Sequence, residues 1–126
     1  MRTRVALFGK SEEKVAQEEA TKAEAERLQS LTAVQFAEVL MPAFGPDGPK
    51  PGGYLNQLQV GSWLMSSFPR GNKYLTDLRD PIMEGLQVLE NADLIVGRTR
   101  GGAASLLKAT RLGETALAEG TVAENL

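Results

Sequence analysis

The sequence predicts a mainly α fold with one small β-hairpin. Three observations carry that prediction. Apolar residues recur at three- and four-residue spacing between Leu31 and Phe44 and again from Ile82 through Leu86 and Leu89 to Ala92, the period of helices buried on one face. A short β-branched run, Leu94-Ile95-Val96, follows directly. Arg100-Gly101-Gly102-Ala103 then supplies a tight turn, because paired glycines accept positive φ without steric cost. Ser105-Leu106-Leu107-Lys108 returns as the second strand, and Ala109-Thr110-Arg111-Leu112-Gly113 leads into an alanine-rich helix.

Composition narrows the chemistry. The 126 residues suffice for one domain with a modest core, and 42% hydrophobic and 24% charged content is ordinary for a globular protein. Cysteine and histidine are both absent. That excludes disulfides, thiolate chemistry, Cys-based zinc sites, and the usual general base near neutral pH. No cofactor or metal is expected. Asp77, Asp80 and Glu84 lie close in sequence, but helix capping accounts for Asp80 and Arg79 can neutralise its neighbours. The chain is therefore read as a non-enzyme. Val5-Ala6-Leu7-Phe8 is too short for a signal-peptide core, no run approaches a membrane span, and a cytoplasmic location is expected.

Residues 1–10 read as a short apolar-basic lead. Gly9-Lys10-Ser11 resembles the end of a phosphate-binding loop, but the glycine required five positions earlier is Arg4. Ser11 to Ser30 reads as a solvated helix capped by Ser11 and rich in Ala, Glu, Lys and Gln. Leu31 to Phe44 forms a second helix with Thr32 as cap. Its Val34, Phe36, Val39 and Leu40 make an apolar surface that packs on the rest of the chain or pairs two copies. Gly45 to Gly53, with three prolines and four glycines, is a loop. Tyr54 to Ser67 reads as a helix apolar around most of its circumference, with Trp63 as core anchor. Residues 72–79 make a short helical segment. Asp80-Pro81 signals a new helix start, with aspartate at the cap and proline at the first position, running to about Asn91.

Leu86, Leu89, Ala92, Leu94 and Ile95, followed by Thr110-Arg111-Leu112-Gly113 and Leu117, resemble the winged-helix superfamily. The motif is the one by which a recognition helix hands over to the wing hairpin and then to a further helix. The resemblance implies a winged helix-turn-helix domain at 54–119, an N-terminal helical extension at 1–44, the Pro/Gly loop at 45–53, and a C-terminal tail at 120–126. In that reading residues 72–79 are the second helix, 81–91 the recognition helix, and 98–108 the basic wing. The second helix is shorter than the family pattern, and the turn after it is nearly absent.

The resemblance implies a DNA-binding protein, a transcriptional regulator acting as a homodimer on double-stranded DNA. Met83, Glu84, Gln87 and Asn91 would lie nearest the bases, since amide side chains suit adenine edges and Met83 a thymine methyl. Arg98, Arg100 and Lys108 would reach phosphates or the minor groove from the wing, and Lys73, Arg79 and Arg111 would grip the backbone at the edges. Between Lys50 and Arg111 there are eight basic and five acidic residues within a chain of net charge −2, a local excess that permits DNA binding without demanding it. The rival is a winged helix used for protein assembly through its N-terminal helices, supported by the acidic total and by the lack of any basic residue in 81–91.

Overall fold

The computed structural model describes residues 2–98 and 106–126, with side chains from Glu12 onward. Five helices and a two-stranded antiparallel hairpin follow in the order α1 (Arg2–Gln29), α2 (Ala33–Leu40), α3 (Gln57–Leu64), α4 (Leu75–Asn91), β1 (Ile95–Arg98), β2 (Leu106–Ala109), α5 (Arg111–Glu119). The mainly α fold with a small hairpin is thus present.

The core forms where α2 crosses α4. From α2, Phe36, Ala37 and Leu40 are buried; from α4, Leu78, Ile82, Leu86 and Leu89 meet them. Gly85 sits in the seam. A Cβ there would stand 2.9 Å from Leu40 Cδ1 and 3.3 Å from the Ala37 backbone nitrogen, so the helices approach closely because the position is glycine. Met41, Ala43 and Phe44 continue the buried surface through a 3₁₀ turn, Met41–Phe44. Residues 33–44 therefore share one core with the later elements. Phe36 and Leu40, at 1% and 0% exposure, belong to this core and are not available to a second copy; Val39 is half-buried and Val34 is exposed.

Local chemistry sets the helix starts. Thr32 Oγ1 accepts from the Gln35 N–H at 3.1 Å, and Gln35 Oε1 accepts from the Thr32 N–H at 2.9 Å, a reciprocal capping box. Asn56 and Gln59 make the same arrangement at α3, at 2.8 and 2.9 Å. The helix expected from Tyr54 begins only there, because Leu55 is drawn into a β-bridge instead. Its N–H donates to Leu107 O at 2.7 Å and its carbonyl accepts from the Leu107 N–H at 2.8 Å. Nor is α3 apolar all round: Val60 is buried, Leu58 is 67% exposed, and Trp63 is half-buried with Nε1 donating to Asp47 O at 3.2 Å.

The start expected at Asp80-Pro81 is also displaced. Pro81 lies inside α4, which begins at Leu75 after a 3₁₀ turn, Gly71–Tyr74. A proline inside a helix costs about 3 kcal/mol, but extending α4 upstream buries Leu78 completely and Leu75 in part, and a fully buried leucine contributes about 1.5–3 kcal/mol. Residues 72–79 are consequently the approach to α4 and its first turn, not a separate second helix. At the other end Asp93 adopts φ 60°, and the Leu94 N–H donates to Leu89 O at 3.0 Å, closing α4 with a left-handed cap.

The hairpin pairs Ile95 with Ala109, Val96 with Lys108, Gly97 with Leu107 and Arg98 with Leu106. The expected glycine turn and Arg100 lie outside the described residues. Thr110 then caps α5 by accepting from the Gly113 N–H at 3.0 Å, while its hydroxyl donates to Asp93 O. A Cβ on Gly113 would overlap the Leu94 carbonyl, so α5 presses directly on the start of β1.

The first helix is longer than expected. It begins at Arg2, so Ser11 is interior and not a cap, and Gly9-Lys10-Ser11 is helical and not a phosphate loop. Gly9 costs about 1 kcal/mol inside a helix, too little to stop one already favoured on both sides. From Glu12 to Ala20 the side chains are exposed. Thr21, Ala25 and Leu28 are buried where the helix docks on α4 and the Gly71–Tyr74 turn. In the Pro/Gly loop, Pro46 and Pro49 stand at P-x-x-P spacing, but the Gly48 N–H bonds to Gly45 O and turns the chain there. After the left-handed Gly120, Val122 and Leu126 fold back against the core.

Candidate nucleic-acid interface

Helix α4 presents the residues expected nearest the bases. Met83, Glu84, Gln87 and Asn91 are all exposed on the face opposite Leu78, Ile82, Leu86 and Leu89. Gln87 Nε2 donates to Asn91 Oδ1 at 2.9 Å, which links the two amides along one edge. The longer helix adds Thr76, Asp77, Arg79 and Asp80 to the same exposed side. Arg79 supplies the cation that residues 81–91 lack. Asp77, Asp80 and Glu84, with half-buried Glu90, outnumber it, so this face is acidic.

The hairpin is different. Strand alternation turns Ile95, Leu107 and Ala109 inward and Val96, Arg98, Leu106 and Lys108 outward. The Leu55 bridge holds that residue beside β2 and leaves Tyr54 next to Lys108. Lys108 Nζ stands over the Tyr54 ring, 5.7 Å from its centre, at cation–π distance. No carboxylate occurs in residues 54–56, 95–98 or 106–109. Arg111, exposed, opens α5 just beyond β2.

The remaining cations do not join this group. Lys73 lies over the Tyr74 ring at 5.9 Å and lines a recess at the α1 junction with Glu18, Arg70 and neighbours. Arg79 borders a recess of about 480 Å³ between α3 and α4, shared with Gln57, Leu58, Leu75, Thr76 and Ile82. Across it Gln57 Nε2 reaches the Arg79 carbonyl at 3.4 Å. Gln57 and Thr76 are not marked by the sequence pattern, because a helix starting at Tyr54 puts the first inside it and a break at Asp80 puts the second on a separate segment. The Asn56-x-x-Gln59 box is the signal in the sequence that marks the true helix start and leaves Tyr54 outside it.

Among the described residues the ion pairs are Lys22–Glu26, Arg27–Glu24 and Arg70–Glu18, all involving α1, so Arg79, Arg98, Lys108 and Arg111 carry no carboxylate partner there. Glu24 is held below the usual carboxylate range chiefly by its hydrogen bond with Arg27, against a small opposing effect of burial. No group of three acidic side chains among the described residues is placed to hold a metal ion. No helix among them is long and apolar enough to cross a membrane. No protein-family model, curated protein or solved structure matches the chain.

Proposed function

We propose that the chain is a DNA-binding protein built as a winged helix, working in transcriptional regulation. The observation that carries this reading is the order α2, Leu55 bridge, α3, α4, β1, β2, with α4, buried on one face and exposed on the other, leading into a hairpin whose outward face is basic. In this arrangement α3 takes the place of the second helix and α4 that of the recognition helix. Met83, Gln87 and Asn91 would face base edges, and Arg98, Lys108 and Arg111 would meet phosphates. Lys73 sits against α1 and is set aside from the contact surface. A homodimer would have to pair through Val34 and the exposed length of α1, because Phe36 and Leu40 are spent on the core.

One observation favours a second reading, a winged helix that docks on a basic protein partner. The exposed face of α4 carries Asp77, Asp80 and Glu84 against the single Arg79, and carboxylates facing phosphate repel it.

Fluorescence anisotropy with a labelled random 20-base-pair duplex separates the two. The DNA reading expects affinity that falls steeply from about 50 to 200 mM salt, with a log–log slope of about −0.9 per phosphate neutralised. Arg98→Gln should flatten that slope. Absence of binding at the lowest salt overturns the DNA reading and leaves the protein-partner reading standing.

A further inference from the structure

The outward face of the small sheet gathers Tyr54, Val96, Arg98, Leu106 and Lys108. Two features set it apart from the α4 face. Its charges are of one sign, with no acidic residue in either strand or in residues 54–56 beside them. Its aromatic ring is also fixed in place. Backbone bonds at 2.7 and 2.8 Å tie Leu55 to Leu107, so Tyr54 is held beside the residue that follows Leu107, Lys108. The ammonium of that lysine stands over the ring, 5.7 Å from its centre. Ring and cation therefore form one preorganised unit, each residue half-buried. A tyrosine hydroxyl is a neutral donor and an ammonium a charged one, and a phosphodiester offers two unesterified oxygens that can take one from each.

We infer that Tyr54 and Lys108 together clamp a single backbone phosphate of the bound duplex, with Arg98 holding a neighbouring phosphate on the same face. This inference rests on the DNA-binding reading and deepens it. The polyanion is gripped by the sheet, and the acidic face of α4 is not its main support. Tyr54 becomes a DNA contact that neither spacing nor composition marked.

The test uses the full chain and the labelled random duplex. Lys108→Gln should weaken binding severalfold, equally across sequences, and reduce the magnitude of the salt slope by about 1. Arg98→Gln should do the same. Tyr54→Phe keeps the ring beneath the ammonium and removes only the donor. It should weaken binding severalfold and leave the salt slope unchanged. The double variant Tyr54→Phe/Lys108→Gln should lose less than the product of the single losses, because both groups hold one phosphate. Circular dichroism matching the parent confirms that each variant is folded. If the parent binds steeply with salt while Lys108→Gln or Tyr54→Phe binds as the parent does, the clamp is overturned and the DNA reading survives. If the parent does not bind, both fall.

Discussion

Helices α4 and α1 are the longest in the chain, and different forces hold them. Over 17 residues α4 buries Leu78, Ile82, Gly85, Leu86 and Leu89 on one unbroken face. In α1, at 28 residues and about 42 Å, the described side chains bury only Thr21, Ala25 and Leu28, all near its C-terminal end. Packing makes α4 a helix in spite of Pro81, whereas α1 owes its helicity to Ala, Glu, Lys and Gln with local ion pairs. Helix α4 should therefore report on global stability, and the exposed part of α1 should open without unfolding the rest.

The strongest test of that contrast is at the α2–α4 seam. Phe36→Ala removes a side chain at 1% exposure and should cost about 3–5 kcal/mol, read as a lower urea midpoint at unchanged m-value. A cost below about 1 kcal/mol would mean the seam is not the centre of the fold. Gly85→Val probes the same contact from the other helix, and overpacking there should cost about 1–3 kcal/mol.

The junction between the two regimes is Thr21. Its hydroxyl lies 2.9 Å from both Pro69 O and Gln17 O, so its single proton is shared between a tertiary and a helical acceptor. Thr21→Val keeps the shape and removes the donor. A loss of about 1 kcal/mol is expected, with faster amide exchange in α1 and little change in α4. Equal acceleration in both helices would show that α1 is part of the cooperative core.

The same contrast explains what the sequence disclosed. The inward residues of α4, the strand that follows it, and the Thr32 cap were legible because their signals are local: a period, a β-branched run, a hydroxyl before a helix. Three features were not. Pro81 looks like a helix start because local preference cannot weigh the burial of Leu78 one turn upstream. Leu55 looks helical because its partner, Leu107, lies far along the chain. The extension of α1 to Arg2 is hidden because Gly9 and Ser11 carry local signals for a break and a cap. The basic residues of the interface could be named individually from sequence. Which of them share a surface depended on tertiary placement: strand register joined Arg98 and Lys108 to Tyr54, while the Gly71–Tyr74 turn set Lys73 beside α1.

At the C-terminal end of α4 the backbone carries a correctable cost. Asp93 holds φ 60°, a left-handed conformation that glycine adopts without a Cβ penalty, and its side chain is exposed. Its hydrogen bond with Thr110 uses the backbone carbonyl and survives substitution. Asp93→Gly should raise stability by about 0.5–1 kcal/mol, seen as a higher thermal midpoint. A fall would mean the aspartate side chain contributes more than its backbone strain removes.

The smallest effect belongs to the polar regime of α1 and depends on pH. Arg27 Nε donates to Glu24 Oε2 at 3.1 Å, one turn apart on the helix. That hydrogen bond, with the guanidinium charge behind it, lowers the Glu24 pKa from its usual 4.5. Because the folded value lies below the unfolded one, the stabilisation is fully present above about pH 4.5 and is lost as pH falls through the lowered value. Arg27 is exposed and Glu24 only half-buried, so the contribution is only about 0.3 kcal/mol at low ionic strength and less in salt. Glu24→Gln should therefore reduce helicity slightly at pH 7 and make no difference at pH 2, while Phe36→Ala remains costly at both. A Glu24 effect that persisted at pH 2 would point to packing of its aliphatic stem, and α1 would then share the packing regime of α4.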